Sequence, residues 1–143
     1  MRFLDINVLV RYLTNDDHEK AKASFALLLR VERGEEAVVT SDIVIAEAVF
    51  VLQSKTYGMT RERIRDLIEP IIESRGLRLP NKSMYARAFD LYCVNKMGFA
   101  DAFNVAYMEA RGIHEVYSYD TDFDRLPRIK RVEPKAVKWH DGG

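Results

Sequence analysis

Two carboxylates stand in stretches that are otherwise mainly apolar, and they are the first candidates for chemistry in this chain. Asp5 interrupts an apolar run over residues 3–10, and Glu47 is the one charged residue between positions 43 and 52. An ionised carboxylate in a folded interior loses roughly several kcal/mol of solvation unless hydrogen bonds, a cation or a raised pKa compensates it. The structural alternatives are a helix cap for Asp5 and a buried ion pair with an arginine, such as Arg11, for Glu47.

The helical neighbours of Glu47 are apolar, since Ile43, Phe50 and Val51 occupy its i−4, i+3 and i+4 positions. We therefore expect that Glu47 cannot easily face away from the core. A helical side chain leans toward the N-terminus of its helix, so Glu47 is expected to reach back toward the loop that follows the preceding strand.

Further acids lie near the predicted ends of other elements. Asp101 opens a helical pattern, where an N-cap or a favourable interaction with the helix dipole is a strong structural alternative. Asp120, Asp122 and Asp124 follow the strand pattern of residues 116–119, where each of them is also suited to a turn or to a solvated loop.

A divalent metal ion would explain several carboxylates around one crevice, because like charges at short range disfavour one another's ionisation. Carboxylates with water suit Mg²⁺ or Mn²⁺, whereas zinc prefers His or Cys. His18, His114 and His140 have no ligand spacing and are expected on the surface. Such a site can activate water and neutralise charge on a phosphoryl group, which is the chemistry of a metal nuclease or phosphatase.

Strand patterns alternate with helical patterns along the chain, and this order predicts the scaffold. Short strands are expected near residues 3–6, 37–40, 77–80 and 116–119, with helices over residues 8–13, 43–55, 61–74, 84–97 and 100–111 and one more ending at Gly34. The alternation predicts an α/β layer fold with a largely parallel sheet. Ligands of such sheets bind beyond the carboxyl ends of the strands, where Asp5 and Asp120 are expected.

Length and composition limit the remaining possibilities. The 143 residues, 48% of them hydrophobic, fit a single domain over residues 1–143. Twenty-two basic and 22 acidic residues leave no bulk positive field, so an anionic substrate must be held locally or by metal. The lone Cys93 indicates a reducing compartment, and we expect a cytoplasmic chain with no signal peptide and no membrane span.

Four segments of the sequence form a recognisable set, and these are residues 4–10 (LDINVLV), the segment from Ser41 to Glu47, Asp101-Ala102, and residues 118–123 (SYDTDF). Together they resemble the PIN domain, and the short chain resembles the VapC-type toxins within that family. The resemblance covers essentially the whole chain in the same order. It implies a three-layer α/β/α fold with a central, mainly parallel sheet of four to five strands. It also implies a metal-dependent endoribonuclease, often a homodimer, that a cognate antitoxin holds inactive.

The resemblance assigns roles to individual residues. Asp5, Glu47 and Asp101 match the acidic triad of the family, and Asp120 matches its fourth acid, with Asp122 as the alternative. These acids would hold Mg²⁺ or Mn²⁺ and hydrolyse RNA to a 3′-hydroxyl and a 5′-phosphate. Two further matches are expected to support the acids, and these are Asn7 beside Asp5 and Ser118 before Asp120. Ile6 departs from the pattern, because a Thr or Ser is more usual there.

RNA must reach an acidic site, so basic residues are expected at its rim. The candidates are Arg11, Arg125, Arg128 and Lys130, followed by Arg131, Lys135 and Lys138 in the tail, with Arg61, Arg63 and Arg65 further off. Ordinary solvated surface is the alternative for all of them.

Three other functions fit parts of the pattern. A haloacid-dehalogenase-like phosphatase requires a second Asp at position 7, where this chain has Asn7. The other two are a PIN nuclease of RNA processing or quality control, and a non-catalytic RNA- or protein-binding module that retains the fold.

Overall fold

The computed structural model describes residues 1–137, which form two compact units. The first unit is Met1–Ala106, and the second begins at Tyr107. The strands are β1 (Arg2–Phe3), β2 (Val38–Val39), β3 (Leu77–Arg78), β4 (Glu115–Tyr117) and β5 (Lys130–Val132). The helices are α1 (Ile6–Thr14), α2 (His18–Glu32), α3 (Asp42–Gln53), α4 (Arg61–Ile72), α5 (Tyr85–Cys93) and α6 (Phe99–Ala110). Their bounds differ from the predicted ones mainly at the ends, where local propensity is least decisive.

The first unit is built on a three-stranded sheet in the order β1-β2-β3, and both pairings are parallel. Two helices connect each strand to the next, as parallel pairing requires. The amide of Leu4 donates to Val39 O at 2.8 Å, and the buried hydroxyl of Thr40 donates to Leu4 O at 2.8 Å. Hydrogen bonds therefore join the carboxyl ends of β1 and β2, and the residues that follow these two strands lie at the same end of the sheet.

In four helices of the first unit, a polar side chain at the N-cap accepts a hydrogen bond from an amide of the first turn. Asp5 caps α1, Asp17 caps α2, Ser41 caps α3 and Thr60 caps α4. The capping residues are readable from the sequence, because a cap acts within three residues of itself.

The core of the first unit combines aliphatic side chains of α3 and α4 with aromatic side chains of α5. The least exposed members, all at 0%, include Ile45, Ala48, Leu52, Ile64, Phe89, Leu91, Tyr92, Ala102 and Val105. Residues of α3 thus bury one face of that helix, and this leaves its opposite face to solvent. The parallel α/β class that the sequence predicts is confirmed.

The second unit contains the parallel pair β4 and β5, joined by a 3₁₀ turn at Thr121–Arg125. Arg131 closes this connection, because its guanidinium donates to both carboxylate oxygens of Asp124 at 3.0 and 3.3 Å and to Ser118 O at 3.2 Å. Hydrogen bonds to Asp124 and Glu133 raise the pKa of Arg131, so its guanidinium stays charged. No helix in residues 1–137 is long and apolar enough to cross a membrane.

Candidate functional site

Glu47 lies on the exposed face of α3, so the expectation that it cannot easily face away from the core is wrong. Its apolar neighbours share that face, since Ile43 is 69% exposed and Phe50 is 77% exposed. Within residues 1–137 Glu47 forms no ion pair, so the alternative of a buried pair with Arg11 is also wrong. The helix presents a carboxylate between apolar side chains at the surface, where a ligand can reach it.

An open cavity of about 580 Å³ brings Glu47 and Asp101 together. Its lining residues are Ala46, Glu47, Val49, Phe50, Gln53, Ser54, Arg61, Gly98, Phe99, Ala100 and Asp101. They come from α3, from the first residue of α4 and from the start of α6. Two carboxylates and one guanidinium give this lining a net negative formal charge, set in a mainly apolar wall.

Asp101 belongs to the first turn of α6 and is half-buried. Gly98 directly precedes the helix, and its carbonyl accepts from the Ala102 amide at 2.9 Å. A carboxylate in the first turn is stabilised by the helix dipole, which places positive potential at this end of α6. The predicted position of Asp101 at a helix start is confirmed, and its predicted metal ligation stays a prediction.

Phe99 anchors the start of α6 in an aromatic cluster. Its ring centroid lies 5.2 Å from that of Phe89 and 5.7 Å from that of Tyr92, the latter edge-on. The Tyr92 hydroxyl donates to Gln53 Oε1 at 2.6 Å, and burial raises the pKa of Tyr92 to about 12, so this donor stays protonated. The cluster thereby ties α5 to α3 on one side and to α6 on the other.

Asp5 follows β1 at the carboxyl edge of the sheet, as predicted, and is exposed. It caps α1 by accepting a hydrogen bond from the Asn7 amide at 3.1 Å. The structure therefore shows Asp5 as a helix cap. The hydrogen bond is donated by the backbone amide of Asn7, not by its side chain. Asp5 does not line the cavity that Glu47 and Asp101 share.

Asp42 is an acid of this region that the sequence analysis did not single out. It is half-buried at the start of α3, where it accepts from the Tyr85 hydroxyl at 2.5 Å and from Asn81 Nδ2 at 2.7 Å. Burial and this hydrogen bond raise the pKa of Tyr85, which keeps the hydroxyl a donor. The arrangement anchors α3 to α5. Its partners lie about forty positions away in sequence, so no local pattern could have revealed it.

In the second unit the three acids after β4 have different partners. Asp122 pairs with Arg125 at 3.6 Å, and Asp124 is held by Arg131 at 3.0 Å. Asp120 caps the 3₁₀ turn by accepting from the Asp122 amide at 2.9 Å, and its own amide donates to Ser118 Oγ at 3.0 Å. Within the described part of the chain Asp120 is the one of the three that no cation pairs with.

The predicted RNA contacts have mixed environments. Arg11 is half-buried, Arg128 is exposed, Arg125 pairs with Asp122, and Lys130 lies 3.9 Å from Glu115. Within the first unit Arg11 does not line the cavity of Glu47 and Asp101, whereas Arg61 does. His18 and His114 are exposed as predicted, and Lys138 and His140 lie outside the described residues.

The donor chemistry of the cavity fits a hard divalent cation. No three His, Cys, Asp or Glu side chains in residues 1–137 come together as metal ligands. Glu47 and Asp101 nevertheless provide two carboxylates on one cavity. Mg²⁺ is commonly held by one or two carboxylates, with water and substrate phosphates completing its coordination. The cavity suits zinc poorly, because its lining contains neither His nor Cys.

Comparison with known proteins identifies the family. The family model described as the PIN domain matches residues 2–129, which is most of the chain. The chain therefore belongs to the PIN domain family, and the predicted membership is confirmed. The chain is similar to the solved structure of VapC20 from Mycobacterium tuberculosis, a toxin that cleaves the sarcin–ricin loop. The two share 22% sequence identity, the match covers 94% of this chain and 100% of that chain, and the TM-score is 0.40. A search of curated protein sequences found no match.

Proposed function

We propose that this chain is a Mg²⁺- or Mn²⁺-dependent endoribonuclease that hydrolyses RNA phosphodiester bonds. The observation that carries the proposal is the shared cavity of Glu47 and Asp101, two acids of the family's triad that come from different helices. Membership of the PIN domain family supports the nuclease class.

Glu47 and Asp101 would hold the cation in the cavity, and the family resemblance adds Asp5 and Asp120 as further candidate ligands. We favour Asp120 over Asp122 because Arg125 already neutralises Asp122. A bound divalent ion would activate a water molecule and neutralise charge that builds on the phosphoryl group. The chain's own contribution is to fix two carboxylates on rigid helices and to present them beside an open cavity.

RNA cleavage with matched variants tests this proposal. Single-stranded RNA is incubated with the purified chain in EDTA and then with increasing Mn²⁺ or Mg²⁺. We expect cleavage only with metal. Glu47→Gln and Asp101→Asn should each lower the cleavage rate by more than roughly a hundredfold, because mutating even a residue that only hydrogen-bonds to a metal ligand typically lowers metal affinity or activity about ten- to hundredfold. Asp5→Asn and Asp120→Asn are expected to behave alike, and Asp122→Asn is expected to retain more activity than Asp120→Asn.

Glu35→Gln is the control, because Glu35 is exposed and does not line the cavity. It should cleave at the wild-type rate. Wild-type cleavage by Glu47→Gln or Asp101→Asn would contradict the site assignment.

The biological role that we propose is the toxin of a type II toxin–antitoxin pair, acting in the cytoplasm as a homodimer and silenced by a cognate antitoxin. A small adjacent upstream gene for a DNA-binding protein, whose product suppresses the cleavage, is the expected result. Cleavage without such a gene would favour the alternative role in RNA processing or quality control.

A non-catalytic RNA- or protein-binding module is the second candidate. One observation favours it, which is that Ile43 and Phe50 on the face of Glu47 are 69% and 77% exposed, because exposed apolar side chains can mark a binding surface. RNA binding without cleavage at any divalent-ion concentration would support the module over the nuclease.

A further inference from the structure

Arg61 occupies an unusual position for a cation, because it is the first residue of α4. A positive charge at a helix N-terminus is disfavoured by the helix dipole. Its environment is also unusual, since Arg61 is half-buried and lines the cavity of Glu47 and Asp101. Among the residues that line this cavity, Arg61 carries the one positive charge.

Backbone and aromatic contacts fix the orientation of the Arg61 guanidinium. Nη1 donates to Tyr92 O at 3.0 Å and to Met97 O at 2.5 Å. The guanidinium carbon also lies 4.4 Å from the centroid of the Tyr92 ring, which is a cation–π contact. These acceptors are backbone oxygens on either side of the loop that leads into α6, so the group is held without being neutralised by a carboxylate.

Only Nη1 makes these hydrogen bonds in the described part of the chain, and Nη2 and Nε have no acceptor there. A guanidinium with two adjacent free donors matches the geometry of a phosphate group. Because its side chain is already ordered, little conformational entropy remains to be lost when an anion binds.

We propose that Arg61 binds a backbone phosphate of the RNA in the cavity beside Glu47 and Asp101. This inference rests on the proposed function and deepens it. A polyanion that approaches two carboxylates needs a positive group at the same site. Arg61 supplies that charge, and its own hydrogen bonds go to backbone oxygens, not to the carboxylates of Glu47 and Asp101. The cation–π contact and the two carbonyls hold that charge at the cavity wall.

The test measures binding of a fluorescent single-stranded RNA oligonucleotide in EDTA, over a series of salt concentrations, so that binding is separated from cleavage. Each phosphate contact contributes about 0.7 to the slope of log K against log salt for single strands. We expect Arg61→Gln to reduce the slope by about 0.7 and to weaken binding by roughly ten- to hundredfold, as for a hydrogen bond to a charged group. Arg61→Lys should keep the slope and lose part of the affinity, because it retains the charge without the paired donors.

Arg33→Gln is the matched control, because Arg33 is exposed at the end of α2 and does not line the cavity. It should keep the wild-type slope. A measurement on the wild-type chain removes any dependence on how the variants fold: the Arg61 Nε–Hε NMR signal should shift when RNA is added, and that of Arg33 should not.

The outcomes distinguish this inference from the proposed function. An unshifted Arg61 signal in a wild-type chain that cleaves RNA, or an unchanged slope in folded Arg61→Gln, overturns the role of Arg61 alone. A wild-type chain that neither binds nor cleaves RNA overturns the proposed function together with it.

Discussion

Replacing Phe99 by Ala should destabilise the chain strongly, although Phe99 lines an open cavity. The side chain is 8% exposed, and its ring lies within about 6.5 Å, between centroids, of those of Tyr85, Phe89, Tyr92 and Phe103. Truncation of a buried Phe to Ala costs about 3–5 kcal/mol through lost transfer free energy and the cavity that remains. Each well-placed aromatic pair adds about 0.5–1.5 kcal/mol beyond burial, so we expect a value near the upper end of that range.

Phe50→Ala is the matched control, since Phe50 lines the same cavity from α3 but is 77% exposed. A substitution at such a position usually changes stability by less than about 0.5 kcal/mol. The free energies of unfolding come from urea titrations followed by far-UV circular dichroism. For a chain of this length, a loss of about 4 kcal/mol corresponds to a melting temperature lower by roughly 10–15 °C.

The difference between the two variants is the decisive quantity. Equal losses for Phe99→Ala and Phe50→Ala would refute the reasoning that an aromatic cluster fixes the start of α6. Because Asp101 lies two residues further along that helix, Phe99→Leu should also reduce RNA cleavage more than Phe50→Leu does. Intact cleavage by Phe99→Leu would show that the position of Asp101 does not depend on this anchor.

Three further predictions concern the scaffold. Gly76→Ala should cost about 1–3 kcal/mol or more in a urea titration, because a Cβ would lie 2.0 Å from Glu36 O; a neutral result would mean that the strand can shift. Tyr85→Phe should cost about 1.5–3 kcal/mol by removing the donor to Asp42, and a double-mutant cycle with Asp42→Asn showing no coupling would contradict this. Burial raises the pKa of Glu69, so the folded chain binds its proton more tightly than the unfolded chain and stability falls as pH rises. Glu69→Gln should therefore raise the melting temperature at pH 7 and leave it unchanged at pH 3, below the ordinary Glu pKa of about 4.3, and calorimetry with equal shifts at both pH values would refute it.

Much of the scaffold can be predicted from the sequence because its signals are local. Asp5 and Ser41 cap helices as their positions indicate, since a cap acts on amides two or three residues away. In the first unit the order of strands and helices likewise indicates parallel pairing, because β1 and β2 are each followed by helical segments long enough to cross the sheet. Strand lengths were less predictable, since only two residues of β1, β2 and β3 pair regularly.

The candidate site was predicted less completely. Sequence context singles out Glu47 and Asp101 as candidate ligands, which stays a prediction, and it places Arg61 only among the more distant basic residues. Its position at the first residue of α4 was a usable signal, because a cation there opposes the helix dipole. The contacts of Arg61 with Tyr92 and Met97 span 31 and 36 positions, and no pattern within one helix encodes them.

By itself, the sequence determined the parallel α/β scaffold, the helix starts and the family, because caps, periodicity and motif order are properties of neighbouring residues. Only the tertiary structure decided which face of α3 meets solvent. The apolar run around Glu47 is compatible with either face, and the packing of Ile45, Ala48 and Leu52 in the core turns the carboxylate outward. The same packing decides that Glu47 shares a cavity with Asp101 and Arg61, because residues so distant in sequence come together only when their helices pack.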